Sequence, residues 1–214
     1  MSNRVKECII RLSPFEKIDT INTNVSKSIC KLKIENGANT ISGTGFLLKL
    51  YIDQEFFYYL ISNEHVIKQN IINNNIIIYI YYDKENKVTN IKLDTTKRYI
   101  KSFIDIGLDI TVIEILDEDN ISEDYFLYPE SNIIINNKLI NSKIYIIQYV
   151  NGEELMNAKG YIKDINKYDY THLDSTQYSS SGNPIFLENS VYVIGIHKQS
   201  DKDKTKIMVI LFIL

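Results

Sequence analysis

The chain has 214 residues, of which 44% are apolar, so it can bury a core in one or two compact units. Its net charge of −3 and its scattered Lys and Arg residues argue against a nucleic-acid-binding protein. The late apolar run Ile207–Leu214 is far too short to cross a bilayer, and Met1–Leu12 lacks the apolar core of a signal peptide. We therefore expect a cytoplasmic protein with no membrane partner.

Short apolar or alternating segments, rich in the β-favouring residues Ile, Val, Tyr and Phe, follow one another along the chain. They are Ile29–Ile34, Thr44–Leu50, Phe56–Ile61, Ile76–Tyr82, Ile110–Leu116, Lys143–Tyr149, Val191–Ile196 and Ile207–Leu214. A short helix is expected near Ser13–Ile21, and the Asn-rich tract Asn70–Asn75 is expected to be a loop. The spacing predicts an all-β sandwich or barrel, because an α/β sheet would need long crossover helices.

The clearest break in the chain is the acidic segment Asp117–Ser131, which contains Pro129 and shows no strand alternation. We therefore predict an N-terminal arm (1–25), a first β unit (26–118), a connector (119–131) and a second β unit (132–214). The arm could be a pro-segment, a packing arm or a partner-binding tail, and the oligomeric state stays open.

The chain has three histidines, and His65 has the most suggestive surroundings. It follows an apolar strand in the run FFYYLISNEHVI, at a turn where packing of Val66 and Ile67 would hold a partly exposed imidazole. A surface histidine in a turn would look the same.

Asp109 begins an apolar strand in GLDITVIEI. Burying a carboxylate there costs several kcal/mol unless the carboxylate accepts hydrogen bonds, and a histidine N–H would supply one. Asp105 is a nearby competitor in a less apolar context, and a solvent-facing aspartate at a strand start is common.

Ser181 lies in QYSSSGNPIF, where Gly182 and Pro184 indicate a tight turn that leads into a strand. Such a turn can expose the Ser181 Oγ and direct backbone N–H groups toward a developing oxyanion. A plain serine-rich turn is the alternative. The order His65, Asp109, Ser181 matches one of the three known triad orders, with the connector between Asp109 and Ser181.

The blocks GTGFLL, ISNEHV, LDITVIEI and SSSGNPIF resemble those of the trypsin-like (chymotrypsin-fold) serine peptidases, over residues 26–214. The resemblance implies two antiparallel six-stranded β-barrels with the active site in the cleft between them. It also implies a serine endopeptidase that acts on proteins or peptides. His65, Asp109 and Ser181 would form its catalytic triad, and the backbone N–H groups of Ser179 and Ser181 its oxyanion hole.

The segment Gly195–His197 resembles the GIH motif of the glutamyl endopeptidase branch. This resemblance implies that His197 and Thr176, with Ser200 nearby, bind a glutamate or glutamine side chain before the scissile bond. No cofactor is implied, and the Cys and His residues lack the spacing of a metal site.

Three positions depart from the family pattern, and one of them is Asn183, which replaces the second Gly after Ser181. Ser179 stands where the family has Gly, and Ser180 stands where it has Asp or Asn. A catalytically inactive binding module with the same fold is therefore the alternative to an enzyme.

Overall fold

The computed structural model describes residues 24–37, 39–131, 139–150, 154–166, 169–173, 181–200 and 207–211. The helix predicted near Ser13–Ile21 and the arm up to residue 23 lie outside these residues. The regular secondary structure of the described part of the chain consists mainly of strands, thirteen in number, so the predicted all-β class is confirmed. Each of the eight apolar segments contains or overlaps a strand, although residues 212–214 of the last segment lie outside the described part of the chain.

The N-terminal strands form one curled antiparallel sheet in the order β5-β4-β1-β2-β3-β7-β6. They are β1 (Ile29–Asn36), β2 (Asn39–Ile52), β3 (Glu55–Ser62), β4 (Ile77–Tyr82), β5 (Lys87–Lys92), β6 (Ile100–Ser102) and β7 (Thr111–Glu114). Alternate residues of each strand face one side of a sheet, and in β4 the buried residues Ile78, Ile80 and Tyr82 follow this period of two. Within the described residues this sheet has seven strands rather than the predicted six, since the three-residue β6 pairs along the outside of β7.

The Asn-rich tract was wrongly predicted as a loop. Residues Gln69–Asn73 form a short helix, α1. Asparagine is a poor helix former, but Ile71 and Ile72 are 1% and 2% exposed and pack into the core of the N-terminal sheet. Burial of these two side chains decides the local structure, because most helical stability in proteins comes from packing.

The C-terminal strands close into a six-stranded antiparallel barrel in the order β10-β13-β12-β11-β8-β9. They are β8 (Lys143–Val150), β9 (Glu154–Asn166), β10 (Asp169–Leu173), β11 (Pro184–Leu187), β12 (Val193–Ser200) and β13 (Ile207–Leu211). Both faces of β8 are buried: Ile144 and Ile146 face the barrel core, whereas Tyr145 and Ile147 face the N-terminal sheet. This two-sided burial explains why its sequence is apolar throughout.

The two β units share an apolar interface. Phe46 and Ile61 of the N-terminal sheet join Tyr145, Phe186 and Ile196 of the barrel in one buried cluster. The rings of Tyr145 and Phe186 stack with their centroids 4.9 Å apart. Full burial of such a side chain contributes about 1.5–3 kcal/mol, so this cluster holds the units in a defined relation.

The chain between the two units is attached to both of them. Leu127 forms a bridge with Leu48 of β2, and Pro129 forms one with Val193 of β12. Upstream, Asp119 makes a buried ion pair with Arg98, with 2.7 Å between its Oδ2 and Arg98 Nη1. These contacts help to fix the orientation of the two units.

Candidate active site

His65 lies in a tight turn just after β3. The backbone N–H groups of Val66 and Ile67 both donate to the carbonyl oxygen of Asn63, at 3.2 and 3.1 Å. Val66 and Ile67 are buried in the core of the N-terminal sheet, while 39% of the His65 side chain is exposed. The turn therefore anchors the backbone and leaves the imidazole accessible.

Asp109 is brought to His65 by the pairing of β3 with β7. The two strands are antiparallel neighbours, and Ser62 pairs with Thr111 at the last rung. Because the end of β3 and the start of β7 lie at the same edge of the sheet, residues 44 positions apart in sequence become neighbours.

Both carboxylate oxygens of Asp109 are used in binding His65. Oδ2 lies 2.6 Å from the ring Nδ1, and Oδ1 accepts the backbone N–H of His65 at 2.9 Å. Asp109 is only 7% exposed. A buried carboxylate beside Nδ1 assigns the ring proton to that atom, so Nε2 is left as the acceptor, the state that a general base requires.

Ser181 precedes Gly182, which packs against the N-terminal sheet. Gly182 has φ +91°, and a Cβ added there would lie 2.9 Å from the Thr44 carbonyl carbon and closer still to its oxygen. It would also lie 3.3 Å from the Oγ of Ser62, three residues before His65. The structure thus brings the turn that carries Ser181 to the strand end that carries His65.

His197 lies on β12, directly behind this turn. Its backbone carbonyl accepts the N–H of Gly182 at 3.0 Å, and its own N–H donates to the Asn183 carbonyl at 2.8 Å. The side chain is 2% exposed. Burial, with a smaller electrostatic contribution from His65, lowers the pKa of His197 to about 3, so its imidazole is neutral at pH 7.

Three other predicted positions cannot be placed in this geometry. Thr176, Ser179 and Ser180 lie outside the described residues. Ser200 ends β12, where its backbone pairs with Ile207 of β13. The described geometry therefore covers His65, Asp109, His197 and the turn at Ser181.

Asn63 is a site residue that the sequence motifs did not indicate. It is fully buried, and its Nδ2 donates to the backbone carbonyl of Asp109 at 2.8 Å. The sequence offered one sign of its role. A polar amide stands between an apolar strand and His65, at a position where a buried residue is usually apolar.

Several solved structures share this architecture at low sequence identity. The active form of the Rv3671c protease from M. tuberculosis superimposes with a TM-score of 0.62 at 16% identity, covering 94% of this chain and 88% of that one. The chain has the chymotrypsin-like fold.

Two plant-virus proteases share the fold. Tobacco etch virus protease in complex with product gives a TM-score of 0.58 at 16% identity, over 94% of this chain and 79% of that chain. Tobacco vein mottling virus protease gives 0.57 at 15% identity, over 94% and 83%. No protein-family profile and no curated protein sequence matches the chain. Identities this low establish the fold alone.

Neither a metal centre nor a membrane helix occurs in the described part of the chain. No three His, Cys, Asp or Glu side chains among those residues are grouped so that they could hold a metal ion. No helix there has the length and apolar content needed to cross a membrane.

Proposed function

We propose that this protein is a serine endopeptidase in which His65, Asp109 and Ser181 form the catalytic triad. The observation that carries the proposal is the bonding of both Asp109 oxygens to His65, at the strand end against which the Ser181 turn packs. A half-exposed imidazole with its tautomer held by a buried carboxylate is the arrangement that activates a serine.

In the proposed reaction, Ser181 Oγ attacks the scissile carbonyl carbon while His65 Nε2 takes the hydroxyl proton. The tetrahedral intermediate breaks its C–N bond, and His65 returns the proton to the leaving amine. Water then attacks the acyl-enzyme in the same way and regenerates Ser181. The backbone N–H groups of Ser179 and Ser181 would bind the oxyanion, where loss of one donor typically costs about 10²–10³ in rate.

We further propose that the enzyme prefers glutamate before the cut, with glutamine as the second choice. His197 supports this proposal, because it is buried beside the Ser181 turn and its neutral ring can donate one N–H to a side-chain oxygen. Thr176 and Ser200 would supply hydroxyl donors. Peptides that differ only at this residue test the preference, and faster cleavage after Lys or Leu than after Glu would contradict it.

An active-site probe separates the enzyme from the alternative, a protease-fold binding module. That alternative is favoured by Ser179 and Ser180, which replace the Gly and Asp or Asn of the family. A fluorophosphonate should label the wild type and not Ser181→Ala, whereas Ser42→Ala, a control at an exposed serine of β2, should label normally. A folded wild type that does not react would reject the enzyme in favour of the binding module.

A further inference from the structure

Asn63 makes hydrogen bonds to both loops that form the His65–Asp109 pair. Its carbonyl oxygen accepts the N–H groups of Val66 and Ile67 and so shapes the turn that carries His65. Its side-chain Nδ2 donates to the Asp109 carbonyl oxygen at 2.8 Å. Asn63 thus connects the His65 turn to the Asp109 backbone.

The side-chain bond continues the β3–β7 ladder beyond its last backbone rung. That rung pairs Ser62 with Thr111, so Asn63 and Asp109 lie just past the paired residues. At this point the side-chain amide of Asn63 binds the Asp109 carbonyl oxygen, in place of the backbone N–H that would bind it if the ladder continued. With the two bonds from His65 to the Asp109 carboxylate, three hydrogen bonds cross between the loops.

Packing alone does not explain an asparagine at this position. The Asn63 side chain is fully buried, and its Oδ1 accepts no hydrogen bond from any described residue. A buried amide with one side unsatisfied is costly, so an apolar residue would serve a purely structural role better. The one bond that the amide does make is to Asp109.

We infer that Asn63 is a positioning residue, whose side-chain amide fixes the Asp109 backbone so that both carboxylate oxygens meet His65. Its catalytic consequence rests on the proposed function. Without the amide, Asp109 loses one restraint on its backbone and the carboxylate aligns less well with Nδ1. The catalytic step then slows, because small misplacements of reacting groups are costly, whereas substrate binding does not depend on this bond.

The test compares Asn63→Leu, which keeps the number and branching of the side-chain heavy atoms and removes the donor, with Asn63→Ser, which keeps a donor. Asn157→Leu is the matched control, because Asn157 is also a buried asparagine, 2% exposed, on β9 of the barrel. Two readouts are measured at pH 7. One is kcat and KM per fluorophosphonate-titrated site, and the other is the NMR resonance of the His65 Nδ1 proton in ¹⁵N-histidine-labelled protein.

In Asn63→Leu we expect kcat per active site to fall by about 10- to 100-fold with KM changed less than about twofold. The low-field Nδ1 proton signal should move upfield and exchange faster with water. Asn63→Ser should recover part of both properties. Asn157→Leu should change neither, whatever it does to the unfolding midpoint.

The positioning role is overturned if folded Asn63→Leu keeps the wild-type kcat per site and the wild-type Nδ1 resonance. It is also overturned if neither Asn63 variant folds, because Asn63 would then be a structural residue. Failure of the proposed function looks different: the wild type neither cleaves peptides nor reacts with the probe. The Nδ1 signal can still be compared in that case, and its shift in Asn63→Leu alone would support the positioning role.

Discussion

The contact between Gly182 and β2 predicts that Gly182→Ala is unusually destabilising. Gly182 adopts φ +91°, and its Cα faces the Thr44 carbonyl so closely that an added Cβ would overlap with the oxygen. The Thr44 carbonyl oxygen also accepts the Ser62 hydroxyl at 2.7 Å. The obstacle is therefore backbone already held by another bond, which cannot simply rotate away.

The size of the effect has two parts. Placing an alanine in the left-handed region costs roughly 1–2 kcal/mol. Forcing a methyl group into a packed site adds about 1–3 kcal/mol. We therefore expect Gly182→Ala to lower the free energy of unfolding by about 2–5 kcal/mol. Gly107 provides the control, because it has a similar φ of +80° and a methyl group added there would meet no atom within 4 Å.

Urea denaturation of the two variants separates the conformational cost from the steric cost. Gly107→Ala should show only the conformational cost of roughly 1–2 kcal/mol, and the difference between the variants measures the close approach. If both variants lose the same free energy to within about 0.5 kcal/mol, then Thr44 yields to the methyl group without cost. The steric part of the reasoning would then be wrong.

Three further predictions concern buried charged or titratable side chains. If the proposed triad is correct, Asp109→Asn should lower kcat about 10⁴-fold, measured on a cleavable peptide, because the His65 tautomer is no longer held. The unfolded chain protonates His197 near its ordinary pKa of 6.5, whereas the folded protein holds the pKa near 3, so the unfolded state binds more protons between these values. Stability should therefore fall by up to about 1.4 kcal/mol per pH unit as the pH drops through this window, and His197→Gln should flatten that dependence in acid-unfolding curves. Asp119→Asn leaves Arg98 buried with no countercharge and should cost about 3–5 kcal/mol in urea denaturation, whereas the double variant Arg98→Met/Asp119→Leu should recover most of this loss.

Strands were predictable where one or both faces are buried. The alternation in β4 and the continuous apolar run in β8 both follow from which faces pack against a core. The strand β5 was missed because it is an outer strand of its sheet, and of its six residues only Ile91 is buried. Its sequence therefore carries little apolar signal, and backbone pairing with β4 decides its structure.

Part of the candidate site was likewise predictable from the sequence, and part of it was not. Side-chain chemistry and chain order pointed to His65, Asp109 and Ser181, and the pairing of β3 with β7 brings the first two together. The carbonyl bond of Asn63 could not be predicted, because it depends on which strand lies next to β3.

The sequence by itself determined the all-β class, since apolar periodicity lies in neighbouring residues, and local residue chemistry supplied two further predictions, the division near Asp117–Ser131 and the candidate triad. Only the tertiary structure decided which oxygen of Asp109 meets which nitrogen of His65, and that Gly182 packs against Thr44. Contacts between residues distant in sequence depend on strand register and on the packing of two separate units. A local pattern constrains which face of a strand is buried, but it does not identify the strand or unit that packs against it.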